Sequence, residues 1–532
     1  MENLVLNDHS IDSLDEIVDY LVPSTDLLRQ FRDETLWKWL YEHGEDDKSN
    51  KVHELNKVHE LNGEKLDDTE TLIQLIDALG LGDNAKGLYS IGKMYLNRYL
   101  DKNGAKAESD AKVAVSYFRK AADKGNAGAQ YELAECWNEG WSKNGWVDAC
   151  KSRDEALALY KAAAEQGFPD AQCGYGSELY FDGNDDCVHW WELAASNGCS
   201  DANYWLARCY NEGAHGLDKN VDTAIELYRT VVEDEKDSAT DAMLSLARCY
   251  LEQKNVSQAI YWCEKYEKSE VDQDSSCYED DMEELAKIQY GIGLLYTDGY
   301  VYPVHDHCPE AFVWYRKAAE LGNAAAQYEV AMAYQDGDFY GITDDDEESL
   351  RWLHKAVEQG YAAAECEFGD YYMHGEMGFQ KNRQMGLDYY KKAAKHCEDG
   401  NGADAILKLF NHKDELTDDE LREAVECLKD SASHSEWPLQ SSVLCELGKC
   451  YFYGIGMDVE DKVEAVRLYE EAAADERCSE AHFNLAVCLL NGWGGQKPDF
   501  IAAKYWAEKA ANSNCEDVAR DAKALLRRIP AP

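Results

Sequence analysis

The chain has 532 residues, with 53 lysines and arginines against 104 aspartates and glutamates, which gives a formal net charge of −51 at pH 7. An acidic surface of this kind repels phosphate backbones and anionic lipid headgroups, so the charge argues against nucleic-acid and membrane partners. Only eight prolines are present, which favours a nearly all-helical protein.

The first 82 residues lie outside the pattern that dominates the rest of the chain. Apolar spacing predicts three helices within residues 10–79. We expect no signal peptide at the N-terminus, which lacks a basic segment and a long apolar run, and no membrane span in any later stretch. We predict that these helices cap the domain that follows. The alternative is that Phe31, Trp37 and Leu40 dock a partner.

A pair of helical patterns then recurs from residue 87 to about residue 514. The second helix of each pair reads A-x-x-[WY]-Y-x-K-A-A-x-x-G, most clearly in the stretch that begins at Ala311. The pattern returns every ~39 residues on average, a period typical of helix-pair solenoids. Its first residue falls at eleven positions: Ala114, Ala156, Cys187, Ala224, Ala259, Ala311, Ser349, Gly386, Ala424, Ala465 and Ala503.

The first helix of each pair reads A-x-Y-x-[LV]-[GA]-x-x-Y, with a small residue at the sixth position and a large one three residues later. Small side chains let two helices cross closely, and aromatic rings fill the remaining gap. One unit departs from the pattern, because Lys408 takes the small position. The other sixth positions are Gly92, Ala134, Gly176, Ala207, Ala247, Gly293, Ala331, Gly369, Gly448 and Ala486.

These two half-patterns resemble the Sel-one-like repeat, a relative of the tetratricopeptide repeat, over roughly residues 85–515. The resemblance implies an all-α, right-handed α-solenoid of about eleven helix pairs. We predict an N-terminal helical module at residues 1–82, the repeat solenoid at 83–515, and a capping helix with a tail at 516–532. Proteins with this repeat serve as adaptors in many unrelated processes, so the resemblance indicates the fold more than the function.

The spacing of the 18 cysteines indicates whether the protein is secreted or cytoplasmic. Secreted members of the family often carry a Cys-x7-Cys pair in every repeat, and this chain lacks that regular pairing. We therefore predict reduced thiols and a cytoplasmic location. Five cysteines lie just before the large residue of a first helix, where a small buried hydrophobe fits: Cys136, Cys209, Cys249, Cys450 and Cys488.

We find no phosphate-binding glycine loop, nucleophile elbow or H-E-x-x-H pattern in the sequence. The turn from His305 to Cys308 could ligate zinc, but its two histidines lack a companion pair at suitable spacing, so a solvated turn is the preferred interpretation. We therefore predict no cofactor, no metal site and no catalytic residues. A hydrolase built on the same repeats is kept as an alternative, because some secreted relatives are described as hydrolases.

The resemblance also implies which side chains could bind a partner. In tetratricopeptide superhelices the first helices line the concave face, so the third, seventh and tenth positions of the first-helix pattern are expected to point inward. Arginines there could hold a carboxylate or an acidic segment of a peptide. The alternative is that these cations pair with acids of the adjoining unit. The predicted binding residues are Tyr131, Asn138, Tyr204, Arg208, Asn211, Arg248, Tyr290 and Tyr328.

From the sequence we predict a non-enzymatic scaffold or adaptor that holds a protein or peptide along the concave groove of the solenoid. A second hypothesis is a regulatory or inhibitory subunit that docks an enzyme through the N-terminal module. The two differ in whether the groove or residues 1–82 carry the partner.

Overall fold

The computed structural model describes residues 4–6, 9–11, 17, 25–32, 35–43, 45–62, 68–100, 105–138, 152–234, 238–269, 278–297, 308–396, 402–433, 440–495 and 497–530. These residues form 28 α-helices, a short 3₁₀ turn at Lys413–Glu415 and one two-stranded ladder. Within the same ranges, no helix combines the length and apolarity needed to cross a membrane.

The N-terminal module combines a small antiparallel ladder with four helices. Strand β1 (Leu4–Leu6) pairs with β2 (His9–Ile11), and helices α1 (Thr25–Arg32), α2 (Thr35–Glu42), α3 (Asp46–Asn62) and α4 (Asp68–Ala78) follow. Their apolar side chains form one core with Ile91 and Met94 of the first repeat helix. The module therefore packs onto the start of the repeats.

That core contains two of the three residues considered for docking a partner. Phe31 and Leu40 are fully buried, and the side chain of Trp37 lies outside the described residues. Phe31 and Leu40 therefore stabilise the module and are not offered to a partner.

The chain forms two compact units, which we describe separately: Met1–Cys249 with Glu264–Ser269, and Tyr250–Cys263 with Glu270–Pro532. After the N-terminal module, the first unit continues with four helix pairs. The pairs are α5 (Ala85–Leu100) with α6 (Ala105–Asp123), α7 (Ala127–Asn138) with α8 (Arg153–Glu165), α9 (Pro169–Phe181) with α10 (Asp186–Ser196), and α11 (Asp201–Glu212) with α12 (Val221–Glu233). The next two helices, α13 (Ala239–Glu252) and α14 (Val256–Glu267), each contribute residues to both units.

The second unit contains six further pairs and a last helix. They are α15 (Tyr278–Thr297) with α16 (Pro309–Glu320), α17 (Ala324–Gln335) with α19 (Asp346–Glu358) across the short α18 (Gly337–Tyr340), α20 (Ala362–His374) with α21 (Arg383–Ala394), α22 (Gly402–Phe410) with α23 (Asp418–Ser433), α24 (Gln440–Tyr453) with α25 (Lys462–Ala472), and α26 (Ser479–Asn491) with α27 (Phe500–Ala511). Helix α28 (Glu516–Leu526) packs on α27. Each of the eleven sequence anchors lies in or at the start of a second helix, so the predicted all-α solenoid of about eleven helix pairs is confirmed. The predicted boundaries at residues 82 and 515 fall inside the two units and stay predictions.

Each helix crossing that has glycine at the sixth position brings that glycine against an aromatic ring of the second helix. A Cβ atom on Gly92 would lie 2.5 Å from the ring of Phe118, and one on Gly369 would lie 2.5 Å from Tyr390. Real Cβ contacts are not this short, so a larger residue would push the helices apart. The same arrangement occurs at Gly176 with Trp191, Gly293 with Tyr315, and Gly448 with Tyr469.

Candidate protein-binding surface on the first helices

The third-position tyrosines pack between neighbouring helices and are half-buried. Burial raises the pKa of Tyr131, Tyr204 and Tyr328, so these phenols are neutral hydrogen-bonding groups at pH 7. Their rings contact other rings across the repeat, with centroid distances of 5.5 Å for Tyr131–Phe168, 5.6 Å for Tyr204–Tyr228, 5.7 Å for Tyr290–Tyr315 and 5.6 Å for Tyr328–Tyr361. A large part of each ring therefore holds the fold together.

Two cations at the seventh position are neutralised by the next unit. Lys93 of α5 donates to Glu132 of α7 at 2.7 Å. Lys449 of α24 lies 2.6 Å from Glu480 of α26 and also pairs with Glu446 on its own helix. At these two positions the lysine forms an ion pair with an acid of the adjoining unit. This agrees with the alternative interpretation of the sequence, in which these cations join units and do not bind a partner.

The unit in which Lys408 takes the small position also forms an ion pair with a neighbouring unit. Lys408 of α22 donates to Asp370 of α20 at 2.6 Å and lies 2.9 Å from Asp404. Burial by itself would lower the pKa of Lys408, but the hydrogen bonds to the two carboxylates outweigh burial and raise that pKa. At this position of the pattern, a lysine that pairs with the preceding first helix therefore stands in place of the small residue.

Arg208 of α11 differs from these lysines because its acidic partner is on its own helix and is exposed. Its Nε donates to Glu212 at 2.9 Å, and the Arg208 side chain is 38% exposed. The guanidinium carbon lies 5.4 Å from the ring centroid of Tyr180 and 5.9 Å from that of Trp205. These distances are typical of cation–π contacts, so the guanidinium is held by two rings while it remains accessible.

Tyr180, Phe181, Trp191, Trp205 and Arg208 form what we call the Tyr180 cluster. Trp191 is completely buried and stacks on Trp205 at 5.5 Å. Tyr180 and Phe181 contact Trp205 at 5.6 and 6.1 Å, and the Phe181 side chain is 70% exposed. The cluster thus runs from the core between α9 and α10 out to the surface.

The aromatic part of this cluster was not predicted from the sequence. Tyr180 occupies the tenth position of its unit, where three other units carry an amide, and this difference is the signal that could have indicated it. Phe181 and Trp205 lie outside the three positions that were expected to point inward, and only the packing of α9 against α11 brings them together.

The amides at the tenth position join adjacent units. Asn211 is 5% exposed and its Oδ1 accepts a hydrogen bond from the thiol of Cys249 at 3.4 Å. Gln335 donates to Tyr371 of the next first helix at 2.7 Å. The Asn211 side chain is therefore placed inside the fold. The side chain of Asn138 lies outside the described residues.

Three of the predicted binding residues, Tyr204, Arg208 and Arg248, lie close enough to interact electrostatically. Burial raises the pKa of Tyr204, while the positive charges of Arg208 and Arg248 act on the same phenol in the opposite direction. Arg248 is partly exposed on α13. Tyr204 on α11 and Arg248 on α13 therefore lie near Arg208 of the Tyr180 cluster.

In the described part of the chain, no group of three or more His, Cys, Asp and Glu side chains is placed to hold a metal ion. The turn considered for zinc lies mostly outside the described residues, at 305–307. Its last member, Cys308, is buried at the start of α16.

The paired helices and the aromatic surface on the first helices define a helical-repeat scaffold. The Sel1 repeat model matches residues 85–126, 127–168, 169–199, 200–230, 286–323, 324–361, 362–396, 441–475 and 479–515, and a Tetratricopeptide repeat model matches 219–274. The chain belongs to the Sel1 repeat family. The repeat model leaves out residues 397–440, which include the unit where Lys408 replaces the small residue.

Two curated relatives match about a quarter of the chain, and one solved structure matches most of it. DAP3-binding cell death enhancer 1 of Rattus norvegicus is 28% identical over 158 residues, 23% of this chain and 30% of that protein. The Mus musculus protein of the same name is 27% identical over 175 residues, 26% of this chain and 34% of that protein. The matched part thus spans about a third of these relatives. The crystal structure of a protective antigen of uropathogenic Escherichia coli with an SLR fold covers 86% of this chain and 91% of its own, at 22% identity and a TM-score of 0.50.

Proposed function

We propose that the chain is a non-enzymatic scaffold that binds a segment of a protein partner on the surface formed by α9, α11 and α13. Sel1 and tetratricopeptide repeats generally mediate protein–protein interaction, and scaffolds of this kind are generally non-catalytic. The names of the two mammalian relatives describe binding of another protein, which supports a protein partner. The regular Cys-x7-Cys pairing of secreted relatives is missing from the sequence, and on that ground we propose a cytoplasmic location.

The Tyr180 cluster carries the proposal. Phe181 exposes most of its ring next to Trp205, and Arg208 presents a guanidinium that two rings already hold in place. Aromatic and arginine side chains dominate binding energy at protein interfaces, because they bury much area and lose little conformational freedom.

This geometry fits a segment that carries an apolar side chain next to a carboxylate. The apolar side chain would cover Phe181, and the carboxylate would replace Glu212 as the acceptor of Arg208. Because Glu212 is itself exposed, its release to water costs little. Arg248 and the phenol of Tyr204 would add charge and a hydrogen bond. Tyr131, Tyr290 and Tyr328 are proposed as further contacts along the first helices.

Calorimetry with a partner identified by pull-down tests this proposal. The Arg208→Ala/Arg248→Ala double variant should lower affinity roughly tenfold or more, since each contact contributes about 1–2 kcal/mol. Arg316→Ala is the matched control, because Arg316 makes the same exposed pair with Glu320 four residues later, at 3.0 Å, but on a second helix. An unchanged affinity of the double variant would place the partner on another surface.

A further inference from the structure

Pairs of cysteines meet at the same place in two different units. Cys173 takes the third position of α9 and Cys445 takes that of α24, where five other units carry tyrosine. Cys173 neighbours Cys199, and Cys445 neighbours Cys478, closely enough for the two thiols of each pair to interact. Cys199 and Cys478 lie at the start of the first helix of the next unit, α11 and α26.

In two other units, a pair of aromatic rings occupies the position that each cysteine pair takes. Tyr131 contacts Phe168 and Tyr328 contacts Tyr361, where Phe168 and Tyr361 are the residues directly before α9 and α20. The place therefore joins one first helix to the beginning of the next. A covalent bond formed there would connect two successive units.

The two thiols of each pair differ in acidity for a structural reason. Cys478 accepts hydrogen bonds from the Cys445 thiol and from the backbone N–H of Ala481, and these lower its pKa to about 7 despite burial. Cys199 stands in the same relation to Cys173 and to the backbone N–H of Ala202, which lower its pKa as well. Backbone N–H groups at a helix N-terminus stabilise a thiolate in this way.

The other member of each pair is the weaker acid. The hydrogen bond to the partner sulfur and burial raise the pKa of Cys173 and of Cys445. Cys445 is fully buried, whereas Cys478 is half-buried. Each pair thus contains one thiol suited to attack a disulfide and one suited to resolve the product.

We propose that the Cys173–Cys199 and Cys445–Cys478 pairs are redox sites, each of which forms a disulfide between successive units by exchange with a low-molecular-weight disulfide such as oxidised glutathione. The Cys478 thiolate attacks one sulfur of oxidised glutathione and releases one glutathione thiolate, which takes a proton from solvent. Cys445 then gives its proton to solvent and attacks Sγ of Cys478, and the second glutathione leaves. Two protein thiols are oxidised and one glutathione disulfide is reduced to two thiols.

The bond at Cys173–Cys199 would tie α9 to the start of α11, the helix that carries Tyr204 and Arg208. Oxidation would thus fix the spacing of two first helices that form the surface proposed above. Disulfide formation does not require that this surface binds a partner. An experiment can therefore contradict the disulfide proposal without contradicting the binding proposal, and the reverse also holds.

Peptide mapping of the full-length protein tests the proposal. The reduced protein is incubated with oxidised glutathione, the remaining thiols are alkylated in acid, and digests are read by mass spectrometry. We expect cross-linked peptides for Cys445–Cys478 and, more slowly, for Cys173–Cys199, because Cys199 is only 7% exposed. Cys515, an exposed thiol at the start of α28, should acquire glutathione alone.

Two variants separate the attacking from the resolving thiol. In Cys445→Ser, Cys478 should keep a stable glutathione adduct, and in Cys478→Ser, Cys445 should stay unmodified because it is buried. Glutathione on Cys478 of the wild-type chain without a Cys445–Cys478 cross-link would overturn the proposal. So would modification of Cys478 only under conditions where circular dichroism shows unfolding.

Discussion

Gly293 of α15 lies directly against the ring of Tyr315 of α16, and a Cβ atom at Gly293 would overlap Cε1 of that ring. Tyr315 is almost fully buried, and its hydroxyl lies 3.0 Å from the hydroxyl of Thr297 on α15. The ring is therefore held from two sides and cannot turn away from a larger neighbour.

Gly293→Leu should consequently destabilise the protein by about 2–4 kcal/mol, because the leucine forces the two helices of the unit apart. Urea unfolding followed by circular dichroism measures this loss. Glu320→Leu, an exposed change on α16, is the control and should stay within about 0.5 kcal/mol of wild type.

A second pair of variants shows whether the clash with Tyr315 causes the loss of stability at position 293. In a Tyr315→Leu background, Gly293→Ala should cost less than it does in the wild-type chain, because the smaller side chain leaves room for the new methyl group. Equal costs in both backgrounds would mean that the glycine is required for another reason.

The sequence predicted the small residue at this crossing but did not show which ring lies against it. The repeat pattern places Tyr296 three residues after Gly293 on the same helix. The ring that fills the space is Tyr315, which lies on the other helix. Spacing within one helix shows which residues share a face, but it does not show which ring of the second helix crosses there.

The candidate surface was predictable to a smaller extent. The pattern identified Tyr204, Arg208 and Arg248, which the structure brings together, but Asn211 is buried against Cys249 of the next unit. Contacts between residues almost forty positions apart depend on how successive units stack, and a single sequence does not show that. The ladder between Leu4–Leu6 and His9–Ile11 was missed because three-residue strands are too short to show alternation.

Glu420 of α23 should make the protein sensitive to acid. A hydrogen bond from Lys391 and another from the backbone N–H of Thr417 lower the pKa of Glu420 from 4.5 to about 2. Because the pKa is lower in the folded state, this stabilisation is present above about pH 4.5 and is lost as the pH falls towards 2.

Glu420→Gln removes the charge, so the variant should lack this loss between pH 4.5 and 2. We expect a difference of about 0.5–1 kcal/mol from wild type above pH 5, measured as the free energy of unfolding in urea at each pH. Glu426→Gln, which removes a carboxylate of the same helix that pairs with Lys429, is the control for the loss of one charge. Parallel curves for wild type and Glu420→Gln would contradict the assignment.

The rate of glutathione exchange at Cys478 should rise with pH and level off above about pH 7. The reactive form is the thiolate, and the hydrogen bonds from Cys445 and Ala481 bring the pKa of Cys478 to about 7. The negative charge of Glu480 opposes ionisation of Cys478, and Lys449 lies 2.6 Å from Glu480. Initial rates of adduct formation at fixed glutathione concentration, from pH 5.5 to 9, measure the profile.

Cys445→Ser tests the cause of this profile. Serine leaves a hydroxyl near Cys478 but takes away the thiol pair, so the midpoint of the rate profile should move. An identical midpoint in wild type and variant would mean that Cys445 does not set the acidity of Cys478.

Phe181 offers the sharpest test of the binding surface, because the chain contains its matched control. Phe181 and Tyr453 occupy the same position of their first helices, two residues after the large ninth position, and are 70% and 66% exposed. Each stands beside another ring, Tyr180 at 5.6 Å and Phe452 at 4.8 Å. Alanine at either position should leave the free energy of unfolding within about 0.5 kcal/mol of wild type, because exposed rings contribute little to folding.

Binding should separate the two variants. Phe181→Ala should weaken the affinity for a partner identified by pull-down by about 1–2 kcal/mol, or roughly tenfold, since the ring would be covered in the complex beside Arg208. Tyr453→Ala should bind as wild type does. This loss should change little with salt, whereas the loss caused by Arg208→Ala should shrink as salt screens its charge. If Phe181→Ala binds as tightly as wild type, the partner does not depend on the Tyr180 cluster, and the proposal for α9, α11 and α13 is wrong.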